Sequence, residues 1–140
     1  MLELNKVTIR IFLLQTEDLS NYALLDKEVA LNLYKQWLKE YKNKDTLDSE
    51  HGFIIYSKLN NEVIYLEDMF IKPESRNQKH SLDLANKLVT LAKEQGFVQL
   101  ITSLDPKTPM FERSYNNAIN FGFKISHVHG SLIILKKDII

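Results

Sequence analysis

The order of strand-like and helix-like segments predicts an α+β domain of α/β/α type, a mixed and mostly antiparallel sheet flanked by helices. Three observations carry this. Hydrophobic periodicity alternates along the chain between the strand period and the helix period. An Asn60-Asn61 pair separates two β-rich runs and tolerates the positive φ angles of a tight antiparallel hairpin. A strand, a helix and a second apolar run then succeed one another up to Leu104, an order that calls for a right-handed crossover between parallel strands.

In chain order, "KVTIRIFLL" alternates Val7, Ile9 and Ile11 with Thr8, Arg10 and Phe12, a strand pattern. From Asp26 to Lys42, Ala30, Leu33, Tyr34, Trp37 and Tyr41 share a helical face, with Asp26 placed to cap it. "KNKDTLDSEHG" reads as a polar loop, and "GFIIYSKL" and "EVIYLEDMFIKP" as the paired hairpin strands. After Pro73 and a short polar stretch, a helix starts around Ser81, carries Leu84, Ala85, Leu88, Leu91 and Ala92 on one face, and ends at Gly96. "FVQLITSL" is the parallel strand. Thr108-Pro109 reads as a helix start, cap followed by proline, with the end near Gly122. "FKISHV" and "SLIILKK" close the chain as a hairpin around His129-Gly130. No internal repeat or linker interrupts residues 1–140, so a single domain is expected.

Composition narrows the function. Eighteen basic and eighteen acidic side chains cancel, leaving no global field for nucleic acid or an anionic membrane. Trp37, Tyr34 and Tyr41 at helical spacing read as core packing, because the lysines around them are matched by acids. The absence of cysteine excludes thiol nucleophiles, thiolate metal sites and a disulfide framework. Charges at Glu3, Lys6 and Arg10 leave no run long enough for a membrane span, so a reducing cytoplasm is the expected location. His127 and His129 share a strand face but lack a third ligand nearby, and no metal site is expected. His51, beside Glu50 and just before a strand, is a candidate by position for lining a substrate pocket.

The segment "IKPESRNQKHSLDLANKL" holds the most specific signal. Pro73 cannot join a sheet ladder, so the chain turns out of the sheet there and enters a helix. A helix start beyond a parallel strand presents free N–H groups and a partial positive charge, which favour an anion. Lys72, Arg76, Lys79 and His80 make the segment basic within a neutral chain, opposed by Glu74.

These residues, in this order of elements, resemble the GNAT superfamily of N-acetyltransferases. The family pattern after the strand is an apolar residue, one residue and often proline, then Arg or Gln, two residues, Gly, one residue, and Gly or Ala at the helix start. Ile71, Pro73, Glu74, Arg76, Lys79 and Ser81 stand at those positions, with the spacing kept and the glycines replaced. "ERSYNNAINFGFKIS" is similar to the family's later motif, with Gly122-Phe123 in place. The likeness covers residues 52–137 and is nearest in tone to small acetyltransferase-like phage proteins with a degenerate acetyl-CoA loop. It implies a splayed parallel strand pair that admits acetyl-CoA as co-substrate. The backbone of Met69 and Ile71 would pair with the pantetheine arm, and N–H groups from Arg76, Asn77, Gln78, Lys79, His80 and Ser81 would hold the pyrophosphate. Glycine permits close approach to phosphate, whereas Lys79 and Ser81 carry a Cβ; Ser81 is small and suits a cap.

Direct transfer of an acetyl group to an amine needs a base, an oxyanion stabiliser and a proton for the leaving thiolate. Glu67 and Asp68 lie in an apolar strand among Ile64, Leu66, Met69 and Ile71, where a carboxylate loses hydration. Strict alternation puts Glu67 on the face of Met69 and Ile71, which favours it as base; paired structural carboxylates are the alternative. The family's acid tyrosine falls at Ala118, and Tyr115 lies one turn earlier, as a substitute or as a core aromatic.

Two readings follow. One is an acetyl-CoA-dependent N-acetyltransferase, an acyltransferase whose amine acceptor is unknown and met by residues 13–51. The other is a non-catalytic GNAT-fold binding or assembly protein that has lost acetyl-CoA binding. A homodimer joined through an exposed apolar edge at "SLIILKKDII" is compatible with both.

Overall fold

The computed structural model describes the backbone of residues 23–140 and side chains from residue 28 onward. The expected first strand lies outside the described residues. Two compact units divide the chain between Asp45 and Thr46.

In the first unit, α1 (Ala23–Lys42) already runs through Asp26, so this residue is helical and does not cap. Its buried face is Ala30, Tyr34 and Leu38, whereas Leu33 and Tyr41 are exposed at 57% and 72%. The i, i+4 spacing of that narrower stripe fits a helix that buries one face. Tyr34, Trp37 and Tyr41 stack along it, with ring centroids 6.5 and 6.2 Å apart. Asn43 takes a left-handed φ of 52°, and the Lys44 N–H meets the Leu38 carbonyl at 3.1 Å, ending the helix.

The sheet has six strands: β1 (Asp45–Ser49), β2 (Gly52–Lys58), β3 (Val63–Ile71), β4 (Gln99–Leu104), β5 (Lys124–His129) and β6 (Leu132–Asp138), in spatial order β1-β2-β3-β4-β6-β5. A 3₁₀ turn (Pro73–Ser75) and α2 (His80–Glu94) connect β3 to β4, and α3 (Phe111–Phe121) connects β4 to β5. The β3–β4 pair is parallel and the β2–β3, β4–β6 and β5–β6 pairs are antiparallel, the mixed sheet expected.

Three elements depart from expectation. The supposed polar loop contains β1, where the low strand propensity of Asp45 and Asp48 is overridden by pairing with β2 and by packing of Leu47 on the core. Thr108 does not cap α3: its hydroxyl bonds the Asp105 carbonyl at 2.8 Å in a preceding turn, and Met110 is the N-cap. At the C-terminal side of the sheet the outer strand among the described residues is β5, because β6 inserts between β4 and β5. The apolar run of β6 is therefore paired on both sides.

One face of the sheet buries Ile54, Tyr56, Ile64, Leu100 and Leu135 against Leu84, Leu88 and Ala92 of α2, with Tyr115, Ala118 and Phe121 of α3 packed on the same cluster. Full burial of each such aliphatic side chain contributes about 1.5–3 kcal/mol. Gly96 ends α2 at φ 85°, with Phe97 N–H on Ala92 O and Gly96 N–H on Lys93 O closing the turn. Gly52 serves a different need: an added Cβ would stand 2.0 Å from the Phe70 carbonyl oxygen, so β2 and β3 approach there as only glycine allows. No helix among the described residues is long and apolar enough to cross a membrane.

Candidate active site

β3 and β4 pair only from Val63↔Gln99 to Leu66↔Thr102. β3 then continues to Ile71 with β2 as its one partner, so the two parallel strands part beyond Leu66. Thr102 Oγ1 donates to the Leu66 carbonyl at 2.9 Å and fastens the last pair. Beside it the Tyr65 and Ser103 hydroxyls bond one another across the strands.

The free edge of β3 has a definite pattern. Lys72 N–H donates to His51 O at 2.8 Å, which marks a hydrogen-bonded antiparallel pair. Alternation then makes Phe70 and Asp68 bonded to β2, and turns the N–H and C=O of Met69 and Ile71 toward the parted side. These are the two residues whose backbone was expected to face a ligand.

Glu67 is the extra residue of a β-bulge, inserted between the pairs Ile55↔Asp68 and Tyr56↔Leu66. A bulge re-aims side chains and shifts the strand's parity by one. Leu66, Met69 and Ile71 pack on the α2 core. Counted from Leu66, Glu67 falls on the opposite face with Tyr65, and Asp68 follows it through its pairing with Ile55. The expectation that Glu67 shares a face with Met69 and Ile71 is thus corrected, because strict alternation fails at Glu67 itself. Glu67 Oε2 is buried at the point where the strands part. Asp68 Oδ1 accepts the Met69 N–H at 3.0 Å. Tyr115 lies on the helix side, half-buried on the core and stacked on Phe111 with centroids 5.7 Å apart. The structure does not bring it onto the face of Glu67.

Beyond Ile71 the chain makes the Pro73–Ser75 turn and enters α2 at His80. Asn77 and Lys79 adopt φ values of 64° and 65°. For a residue with a Cβ this region costs roughly 1–2 kcal/mol, less for asparagine. Lys79 stands where the family pattern has glycine, and it takes the backbone conformation that glycine favours. No side chain caps α2. Ser81, expected as a cap, lies inside the first turn because the N-cap is Lys79, two residues sooner. The first helical bond is Asp83 N–H to Lys79 O at 3.1 Å, which leaves the N–H groups of His80, Ser81 and Leu82 without an intrahelical acceptor.

Side chains surround this loop. Arg76 Nε donates to Ile71 O at 3.0 Å and its guanidinium lies 5.6 Å from the Phe70 ring centre. Gln78 Nε2 donates to Glu74 O at 3.1 Å. Arg113, from α3, donates to Asn77 Oδ1. Arg76, Lys79 and Gln78 are exposed. Two open hollows lie elsewhere, one of about 460 Å³ at Leu82, Lys93, Phe121 and Lys137, another of about 420 Å³ at Lys58, Asn60 and Phe97.

No protein-family model and no curated protein sequence matches the chain. Solved structures do. The chain is similar to the PaiA N-acetyltransferase of Thermoplasma acidophilum in complex with coenzyme A, with TM-score 0.63 and 17% identity over 99% of this chain and 94% of that one. It is similar to a GNAT family acetyltransferase of Elizabethkingia anophelis with acetyl-CoA bound, with TM-score 0.60 and 13% identity over 76% of this chain and 82% of that one. An acetyltransferase of Streptococcus agalactiae gives TM-score 0.57 and 20% identity over 91% of both chains. With its mixed sheet, parted parallel pair and helix-start loop, the chain has the fold of the GNAT acetyltransferases.

Proposed function

We propose that the protein is an acetyl-CoA-dependent N-acetyltransferase that transfers the acetyl group directly to an amine. One observation supports this above the rest: the edge of β3 that no strand covers beyond Leu66 leads from Glu67, half-buried with its Oε2 out of solvent, to a loop held in the glycine conformation at a helix start. The loop fits a phosphate despite its missing glycines, because its free N–H groups remain open and the exposed Lys79 and Arg76 add positive charge. Met69 and Ile71 would pair with the pantetheine arm. Of the N–H groups expected from Arg76 to Ser81, those of residues 77–81 would hold the pyrophosphate together with that of Leu82, the Arg76 N–H being donated to Pro73 O at 3.4 Å. Acetyl-CoA supplies the activated thioester.

The residues of this chain do the rest. Glu67, at the fork, takes the proton of the incoming ammonium, directly or through water, and Asp68 on the same face is the second candidate base. Arg76 has to release the Ile71 carbonyl, and Asp68 Oδ1 the Met69 N–H, before those groups can meet a ligand amide, and the charge of Arg76 then becomes available to phosphate. Tyr115 would act as acid only by reaching across from the helix side, so water is the simpler proton source for the leaving thiolate. The acceptor is an amine.

A second reading, a non-catalytic GNAT-fold binding or assembly protein, draws on one observation: Arg76 already occupies the Ile71 carbonyl. The test is a screen of polyamines, aminoglycosides and peptide N-termini with acetyl-CoA, read by release of free thiol. Amine-dependent release that disappears in Glu67→Gln supports transfer. Thiol release no faster than with buffer, across every amine class, supports the second reading.

A further inference from the structure

The loop keeps two left-handed residues without a glycine, so some other part of the chain has to hold it. His51 is placed to do so. It sits in the turn between β1 and β2, and the close approach at Gly52 sets that turn against the end of β3. Its polar atoms are all engaged: the N–H meets Ser49 Oγ at 3.2 Å, the carbonyl accepts from Lys72 at 2.8 Å, Nδ1 meets Ser75 Oγ at 3.0 Å and Nε2 meets Glu50 Oε1 at 3.3 Å. With the Nε2 proton toward Glu50, Nδ1 accepts from the Ser75 hydroxyl. The ring also stacks on His80, with centroids 3.5 Å apart and planes 19° from parallel.

Ser75 ends the turn that enters the loop and is only 8% exposed, and His80 is the first residue of the helix that leaves it. A single side chain therefore grips both ends of the segment between them. We propose that His51 is a positioning residue for the phosphate cradle. By fixing Ser75 and His80 it keeps Lys79 in the left-handed conformation that a glycine would take unaided. This rests on reading the loop as the coenzyme A site. It gives the β1–β2 turn a part in cofactor binding without contact to the cofactor.

The test is a double-mutant cycle on the full chain, reading coenzyme A affinity by calorimetry and exchange of the 76–82 amides by mass spectrometry. His51→Ala is expected to weaken coenzyme A by about tenfold and to speed exchange in the loop, while pantetheine, which lacks phosphate, binds as before. In a Lys79→Gly background the same substitution should cost less than about threefold, because glycine no longer needs the grip. Ser75→Ala, which removes only the hydroxyl partner, should show a smaller loss of the same kind and serves if His51→Ala folds poorly. Equal losses in both backgrounds, or unchanged loop exchange, would overturn the proposal. Wild-type protein that binds no coenzyme A would defeat the functional reading, while the exchange measurement would still decide whether His51 holds the loop.

Discussion

Arg76 Nε lies 3.0 Å from the carbonyl oxygen of Ile71, so one of the loop's cations is bonded to the strand edge that a ligand would need. Two demands compete for one side chain. Arg76→Ala should therefore weaken coenzyme A by about tenfold through loss of a charge-assisted phosphate contact. Pantetheine, without phosphate, should bind as well as before or better, because the Ile71 carbonyl is released. Parallel calorimetric titrations of the two ligands separate these effects.

Lys79→Gly removes the strain of a left-handed residue and adds backbone freedom to the unfolded chain. The first effect is roughly 1–2 kcal/mol and the second roughly 0.5–1 kcal/mol, so a net gain of about 0.5–1 kcal/mol is expected. Urea denaturation would register it as a higher midpoint at unchanged slope.

Gly52→Ala should be costly. Its Cβ would lie 2.0 Å from a backbone oxygen, and β3 would have to move to make room. A loss of about 1–3 kcal/mol is expected, together with weaker coenzyme A binding, since the same strand end leads into the loop.

Glu67→Gln keeps the shape of the side chain and removes its ability to take a proton. Once an acceptor is in hand, turnover should fall by about 10²-fold or more with acetyl-CoA affinity unchanged. Asp68→Asn should cost less than Glu67→Gln, since its carboxylate is bonded to the Met69 N–H. Rates of thiol release set against cofactor titrations check both.

Much of this architecture was legible from local pattern. Pro73, Gly96 and the apolar stripe of α2 each act within a few residues, so the turn out of the sheet and the crossover helix could be read directly. The hairpin of β2 and β3 was legible too, but not for the expected reason: Asn60 and Asn61 do not take positive φ, and Asn60 Oδ1 instead accepts the N–H groups of Glu62 and Val63 at 2.7 and 2.9 Å. What escaped notice depends on partners distant in sequence. β1 forms because β2 and the core under Leu47 are there to receive it, not because its own residues favour a strand. The bulge at Glu67 exists only in the register against Ile55 and Tyr56, and no local signal announces the change of face. His51 reads as one more loop histidine until Ser75 and His80 are folded against it. The loop itself was half legible: its spacing and charge were plain, while the left-handed backbone at Lys79 was hidden by a residue that seldom adopts it.

The most direct test of the account is calorimetric titration of the wild-type chain with coenzyme A, repeated with Lys79→Glu. Micromolar binding that weakens at least about tenfold on charge reversal is the predicted result, since the loop's free N–H groups and Lys79 would act on the same phosphate. Absence of binding at millimolar ligand, or binding indifferent to Lys79→Glu, would contradict it.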